Sequence, residues 1–433
     1  MLSIKLIREQ PEYIQEIYKK RHYDFPVNQV LKLDEKKRRL VFDLDELRSI
    51  RKKSSKQINP KMNENEKKIV IDSQKETSTK IHELEDLLRN IENELKQLLL
   101  EMPNILQDDI HEGGEKEAKI ILQGIGNKIL ENKKERTITD KPSKSEYSKV
   151  PGHWDIANQL GLIDFERGVK ISGQRFYVLM EDGAKLQRSL INWMIDEHTE
   201  RGYSEIYPPA LVKEEMLVGT AQLPKFGENL YRDIEEDLWL VPTAEVPVTN
   251  LYREEILSHG SIPIKHVAYT PCFRREKMSA GKEVRGIKRG HQFDKVELVN
   301  FVEPSDSAAA HEQLLQDSLN IVKLLGLRYR VLLLASQDTS FASSKTYDIE
   351  VWSPGSEEWL EVSSVSNFLD FQTRRANIRY KDTKGNNTFL HTLNASGLAL
   401  PRTLAALIEQ NFIDNSIIIP DVLQPFMKKT TIK

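Results

Sequence analysis

The stretch Ile264–Val302, IKHVAYTPCFRREKMSAGKEVRGIKRGHQFDKVELVNFV, carries the reading from which the rest follows. Its two ends, Ile264 to Glu276 and His291 to Glu303, are rich in β-branched and aromatic residues and predict paired strands. Between them lies a 14-residue loop, Lys277 to Gly290, with five basic residues (Lys277, Lys282, Arg285, Lys288, Arg289) against one acid, Glu283. Ser279, Ala280, Gly281 and Gly286 within it are glycine or small, and Gly290 closes it. Side chains alternate faces along a strand. Arg274 and Glu276 therefore share one face of the first strand, and Phe293, Lys295 and Glu297 share one face of the second. At 3.3 Å per residue Phe293 and Glu297 stand about 13 Å apart. An aromatic platform for a base, a central arginine and a distal carboxylate would span an extended nucleotide-linked ligand. An ordinary hairpin with cross-strand Arg–Glu pairs and a solvated basic tip uses the same residue types.

Outward from this stretch, composition narrows the class. The chain has 433 residues, enough for two to four domains at ~150 residues each. With 20 Gly and 18 Pro it is neither collagen-like, mucin-like nor disordered in bulk. One cysteine, Cys272, excludes an intrachain disulfide and a multi-cysteine zinc site. The longest apolar run, Val331 to Ala335, falls far short of the roughly 18 residues a membrane span requires. Lys5, Arg8 and Glu9 interrupt the place where a signal peptide needs an apolar stretch. The expectation is a soluble cytoplasmic protein with no membrane partner.

The net charge of −3 says little, but its distribution is uneven. Leu31 to Lys68 holds 13 Lys/Arg against seven Asp/Glu, which points to a polyanionic partner. The same region has the spacing of a helical hairpin. Val30, Leu33, Lys37, Leu40, Leu44, Leu47, Arg51, Ser54 and Ile58 step by three and four; Asn59-Pro60 interrupts; Ile81, Leu84, Leu88, Ile91, Leu95, Leu98 and Met102 form a second seam. Two seams about one turn predict an antiparallel two-helix coiled coil with arms roughly 45–60 Å long. Basic residues on it, Lys36, Arg38, Arg51, Lys52 and Lys53, are candidate contacts to nucleic acid. A dimerising or spacer coiled coil has the same pattern. Met102-Pro103 ends the arm, Gln107 to Lys119 reads as a linker and Asn132 to Lys149 as a surface loop.

After Pro151 the texture changes. Helices are expected over Gly183–Arg201, Ser305–Leu325 and Pro401–Asn411. Strands are expected over Ile206–Pro209, Trp239–Pro242, Tyr329–Leu334, Tyr347–Trp352, Trp359–Ser364 and Thr388–Asn394. Several strands are adjacent with no crossover helix between them, which favours an α+β fold: an antiparallel sheet flanked by helices. Thr243 and Glu245, read as sharing a strand face, would clasp an ammonium. Glu361, read as the end of a strand before Val362-Ser363-Ser364, would hold magnesium. Pro401 suits the first position of a helix, putting Arg402 in a first turn that favours anions. The ten histidines show no metal spacing, and Gly124-Ile125-Gly126 is too short for a dinucleotide fingerprint.

In order along the chain, these segments resemble the seryl-tRNA synthetases of bacterial type, a branch of the class II aminoacyl-tRNA synthetases. The arm is similar to the family's N-terminal hairpin, and Leu190–Arg201 leading into Tyr207-Pro208-Pro209 is similar to the first class II motif. FRRE (Phe273–Glu276), SAGKEVRG and HQFDKVE resemble the second motif, and NASGLALPRT (Asn394–Thr403) the third. TAE (Thr243–Glu245) and EVSSVSNF (Glu361–Phe368) match segments peculiar to the seryl branch. The sequence departs from the family at Lys277-Met278, where small residues are usual. It departs also at Gly290, where a larger apolar residue is common, and at Pro401 in place of a frequent glycine.

The resemblance implies two domains, a tRNA-binding arm over 1–105 and a class II catalytic domain over 106–433. It implies ATP-dependent ligation of L-serine to serine tRNA through seryl-adenylate, in a homodimer, with ATP and Mg2+ and without zinc. Arg274, Glu361 and Arg402 would be catalytic. Thr243, Ala244, Glu245, Glu297, Asn394 and Ser396 would bind serine. Arg275, Glu276, Gly290, Phe293, Val362, Ser363 and Ser364 would join Arg274, Glu361 and Arg402 around ATP, with Glu361 and Ser364 on the magnesium. The long variable arm of serine tRNA would lie on the hairpin. Whether selenocysteine tRNA is a second acceptor stays open, as does a synthetase-like ligase for another amino acid or acceptor.

Overall fold

The computed structural model describes residues 1–57, 62–130, 137–142, 150–277 and 285–433. Contacts divide the chain into two compact units, Met1–Pro103 and Asn104–Lys433. The expected turn at Asn59-Pro60, with Ile58, lies outside the described residues, as do most of Asn132–Lys149 and the loop's Met278–Val284.

The first unit has four helices among its described residues: α1 (Ile4–Glu9), α2 (Pro11–Lys20), α3 (Val27–Gln57) and α4 (Glu64–Glu101). A capping box starts α4: the Asn63 side chain accepts from the Glu66 amide at 2.9 Å, and the Glu66 carboxylate accepts from the Asn63 amide at 3.2 Å. Val30, Leu33, Leu40 and Leu44 are buried in the hairpin together with Ile81, Ile91, Leu95 and Met102. The polar break at Lys37 is an interhelix ion pair with Glu92 at 2.9 Å, and Arg48 pairs with Glu85 at 2.8 Å. These two rungs fix the antiparallel register. The seams read from the sequence do not include α1 and α2, although Ile14, Ile17 and Tyr18 of α2 recur at helical spacing. They bury Ile7, Ile14, Ile17 and Tyr18, and the Tyr18 hydroxyl donates to the Pro103 carbonyl at 3.0 Å.

The second unit is built on a nine-stranded sheet among the described residues. Its strands are β1 (Lys119–Ile125), β2 (Lys128–Ile129), β3 (Ser204–Ile206), β4 (Ile264–Phe273), β5 (Gln292–Val302), β6 (Arg328–Leu333), β7 (Lys345–Ser353), β8 (Glu358–Leu369) and β9 (His391–Ala399). Their order is β2-β1-β6-β7-β8-β9-β5-β4-β3, antiparallel throughout except for β3 beside β4. The helices used below are α5 (His153–Gln159), α6 (Glu181–Glu200), α7 (Glu245–Thr249), α8 (Ser307–Leu324), α9 (Phe371–Ala376) and α10 (Leu400–Gln410). Leu186, Leu190 and Trp193 of α6, Leu314 and Leu319 of α8, and Leu404 and Leu407 of α10 pack in one core with Val296, Leu298, Val351, Val365 and Leu393 of the sheet. This is the α+β arrangement expected. Among the described residues no helix is long and apolar enough to cross a membrane.

Several expectations need correction. Residues 107–119 are not a free linker: Leu106 and Ile110 are buried, and the neighbouring Asn104 amide donates to the carbonyls of Ala342 and Phe368 at 2.9 and 2.8 Å. β1, which follows, joins the sheet beside β6. The strand read at Ile206–Pro209 ends at Ile206, because two prolines cannot donate to a ladder. Thr243 and Glu245 share no strand face; Glu245 opens the short helix α7. β4 ends at Phe273, and Glu276 lies beyond it with φ +50°. Glu361 sits inside β8 rather than at its end. Leu400 precedes Pro401 in α10, so the proline takes the second helical position.

Candidate active site

The face of the sheet opposite the helical core floors a cavity of about 390 Å3. Strand alternation brings Phe293, Lys295 and Glu297 of β5 to it, with Thr346 and Asp348 of β7, Ser364, Ser366 and Phe368 of β8, and Asn394 and Ser396 of β9. Two interruptions in the ladders extend this set. Opposite β7 the pairing jumps from Ser363 to Glu361, so Val362 is an extra residue and Glu361 turns onto the cavity face. Opposite β5 the pairing jumps from Leu398 to Ser396, and beyond the extra residue Gly397 it is Ala399 that reaches the cavity. Without the first interruption the Glu361 carboxylate would point into the core. This explains why simple alternation misplaces it.

The cavity has two chemically distinct ends. At one, Thr243, Glu245 and Glu297 are buried together. The Thr243 hydroxyl accepts from the Glu245 amide at 3.2 Å. The Gln372 amide of α9 donates to Glu245 Oε1 at 2.6 Å and is itself held by the Thr392 hydroxyl at 2.6 Å. Burial, with the nearby Glu297 charge, pushes the Glu245 carboxyl up to about 7. Burial also pushes Glu297 up, against the opposing pull of its ion pair with Lys295. Two desolvated carboxylates facing one small space form a receptor for a compact cation bearing a hydroxyl.

At the other end the groups are cationic. Arg274 donates to the Pro242 carbonyl at 3.2 Å, and its guanidinium carbon lies 5.2 Å from the centre of the Phe293 ring. Arg402, in the first turn of α10, donates to the Glu361 carbonyl at 2.8 Å. Arg289 pairs with Glu276 at 3.5 Å, and Lys288 and Gly290 also line the wall. A Cβ on Gly290 would approach the Gln292 carbonyl to 3.0 Å and Tyr177 to 3.3 Å, so a larger residue here would require these neighbours to give by a few tenths of an ångström.

Between the ends the Ser364 hydroxyl bonds Asp348 at 2.7 Å and Glu361 at 3.1 Å. Burial and the Glu361 charge hold the Asp348 carboxyl well above its usual range. Burial pushes Glu361 the same way, but Arg402, Ser364 and Arg274 outweigh it and keep that carboxyl low. Two carboxylates and a hydroxyl suit a hard cation that takes its other oxygens from a phosphate ligand. Among the described residues no group of three or more His, Cys, Asp or Glu could hold a metal ion by itself.

Of the sixteen candidate residues for serine and ATP, thirteen line this cavity: Thr243, Glu245, Arg274, Glu276, Gly290, Phe293, Glu297, Glu361, Val362, Ser364, Asn394, Ser396 and Arg402. Three do not. Ala244 packs in an apolar cluster with Val248 and Phe301. Ser363 faces the core, its hydroxyl donating to the Ser396 carbonyl at 2.8 Å. The Arg275 guanidinium turns away to Tyr231, 5.7 Å from the ring centre. Residues not singled out from sequence include Asp348, Gln372, Gln222 and Phe341. Asp348 had a signal, as a polar member of an alternating strand; Gln372 had none.

Comparison with known proteins agrees with this geometry. Residues 1–106 match the seryl-tRNA synthetase N-terminal domain, and residues 228–411 match the tRNA synthetase class II core domain (G, H, P, S and T). A serine–tRNA ligase of Thermomicrobium roseum is 49% identical over 430 residues, covering 99% of this chain and 93% of that protein. The chain belongs to the seryl-tRNA synthetase family. Two solved members align with all of it. The enzyme of Pyrococcus horikoshii complexed with ATP has a TM-score of 0.87 at 31% identity, with 99% of that chain covered. The cytoplasmic enzyme of Naegleria fowleri in complex with AMP has a TM-score of 0.85 at 30% identity, again with 99% covered.

Proposed function

We propose that this protein activates L-serine with ATP and transfers it to serine tRNA, as a cytoplasmic homodimer. The observation that carries the reading is the two-ended cavity, with Glu245 and Glu297 at one end and Arg274, Phe293 and Arg402 at the other. In this reading Glu245 and Thr243 take the serine ammonium, and Glu297, Asn394 and Ser396 surround the hydroxyl. Adenine lies between Phe293 and Arg402, with Glu276 and the backbone near Gly290 at its edge. Arg274 contacts the serine carboxylate and the α-phosphate together.

The serine carboxylate oxygen attacks the α-phosphorus, and the bond from that phosphorus to the α,β-bridging oxygen breaks, releasing pyrophosphate with that oxygen. A hydroxyl of the terminal tRNA ribose then attacks the activated carbonyl, expelling AMP. No enzyme nucleophile is required. The protein holds two anions in line and meets charge as it grows on the phosphorus oxygens. Magnesium held by Asp348, Glu361 and Ser364 would neutralise phosphate charge.

The first unit is proposed to be the tRNA-binding part and the second the catalytic part. Lys36, Arg51, Lys52 and Lys53 are exposed on α3 and suited to phosphates; Arg38 is exposed as well but pairs with Asp34 at 3.0 Å, so its charge is locally compensated. A hairpin of this kind reads an RNA arm by shape and backbone. Charging of a serine tRNA transcript with labelled serine, set against the same transcript lacking its variable arm, tests this reading. Charging of both equally, or of neither, contradicts it.

Two outcomes are expected at the serine end. Replacing Glu297 with Ala removes a hydrogen bond to a charged group, worth roughly 1.5–3 kcal/mol, or about tenfold to 150-fold in kcat/KM for serine. It also leaves Lys295 without its carboxylate, so the decisive readout is the ratio of serine to alanine activation. An unchanged ratio would make Glu297 a structural strand residue. The second outcome concerns pH. Glu245 must be ionised to hold an ammonium, and its free-enzyme value is raised to about 7. As pH falls below that value the carboxyl protonates and KM for serine rises, by up to about tenfold per pH unit. Glu245→Gln should flatten this dependence. A serine KM that stays level between pH 8 and pH 6 in the unmodified enzyme would contradict the assignment (both pH values being about one unit either side of neutrality).

A further inference from the structure

The return stem of the basic loop is fastened at a point outside the cavity. The Ile287 amide donates to His153 Nε2 at 3.2 Å, and His153 Nδ1 meets Glu409 Oε1 at 2.8 Å, with both side chains fully buried. An amide can only donate, so Nε2 is unprotonated and Nδ1 carries the hydrogen that it gives to Glu409. Glu409 is satisfied on every side: it also accepts from the His153 amide at 2.9 Å, the Gly355 amide at 2.9 Å and the Ser353 hydroxyl at 2.5 Å. Gly286 adopts φ +76°, and a Cβ there would lie 2.0 Å from His153 Nε2, so the stem can approach the imidazole only as glycine. The neighbouring Trp154 takes the Arg285 guanidinium at 4.5 Å from its ring centre and the Lys288 ammonium at 5.8 Å.

The position of this cluster gives it a consequence. Glu409 lies near the end of α10, whose first turn carries Arg402. Lys288, Arg289 and Gly290, directly after the fastened amide, form the cationic wall of the cavity. We propose that His153, held by Glu409, is a positioning residue that sets the loop's return stem against the helix bearing Arg402 and so preorganises the ATP end of the site. The proposal rests on the reading that this end takes ATP. His153 touches no reactant, and its effect passes through the Ile287 amide.

Two isosteric changes separate this role from mere burial of a carboxylate. Asn at 153 places its amide nitrogen where Nδ1 sits, keeping a donor for Glu409 but leaving Ile287 without an acceptor. Gln at 153 extends an oxygen toward the Nε2 position and can accept from Ile287. The expected result is that His153→Asn raises KM for ATP in pyrophosphate exchange by about tenfold or more, while KM for serine changes by less than about twofold. His153→Gln should recover most of the ATP KM, and Gly286→Ala, which displaces the stem from the other side, should raise it as Asn does. Hydrogen exchange at the Ile287 amide, measured without ligand, should be slow in the unmodified enzyme and the Gln variant and fast in the Asn variant. Recovery by Asn and not by Gln would overturn the proposal, as would an equal rise in both KM values or a loss confined to the fraction of active enzyme. If the unmodified enzyme shows no serine-dependent exchange, the functional reading fails, and the Ile287 amide pattern alone decides the positioning role. If neither His153 variant folds, Gly286→Ala decides it: an unchanged ATP KM overturns the proposal.

Discussion

Replacing Ile50–Lys80 with a short linker is expected to lower tRNA charging roughly a thousandfold while leaving serine-dependent pyrophosphate exchange near its original rate. The size follows from losing three charge-assisted contacts at about 1.5 kcal/mol each, from Arg51, Lys52 and Lys53. The cut is chosen from the register. Arg48 and Glu85 pair across the hairpin at 2.8 Å and remain as its last rung. Val30, Leu33, Leu40, Leu44, Ile81, Ile91 and Leu95 remain to bury one another, and α1 and α2 keep their packing at the base. Binding of full-length tRNA by the unmodified protein should weaken steeply with salt, and the truncation should flatten that slope, because fewer counterions are released. Loss of exchange in a folded truncation would contradict the division of labour between the two units. An unchanged salt slope would show that these charges only solvate the arm.

Arg274→Ala is expected to lower kcat for pyrophosphate exchange about 10²–10³-fold, the scale seen when one preorganised donor to a developing oxyanion is removed. Its position is set twice, by the Pro242 carbonyl at 3.2 Å and by the Phe293 ring 5.2 Å from its guanidinium carbon. A lysine there presents a point charge without the planar fork, so Arg274→Lys should recover only part of the loss. Thermal unfolding should separate this from a folding defect, since Arg274 lies at a cavity wall rather than in the apolar core. Full recovery by lysine would reduce its role to simple charge neutralisation.

The fold was legible wherever burial imposed a period. The arm seams, the core helices and the strands 264–273 and 292–302 all repeat at helical or strand spacing, and each formed close to its expected bounds. What stayed hidden depended on contacts distant in sequence or on breaks in the period. β1 shows no pattern of its own, because it is an outer strand whose pairing with β6 lies more than two hundred residues along the chain. Glu361 reached the cavity through a skipped ladder position that alternation cannot foresee. Thr243 and Glu245 reached it from a turn and a five-residue helix rather than a strand. Motif resemblance gathered most of the cavity residues but also drew in Ala244, Arg275 and Ser363, which neighbour lining residues in sequence and face away in space. Gln372 and His153 work by holding other groups, and nothing in their own surroundings in the sequence marks them.

The most direct test of the central claim is ATP–pyrophosphate exchange by the purified full-length protein, without tRNA, across a panel of single amino acids with magnesium present. The expected result is exchange with L-serine and far less with L-alanine, glycine and L-threonine. Exchange driven best by another amino acid, or none with serine, would contradict it.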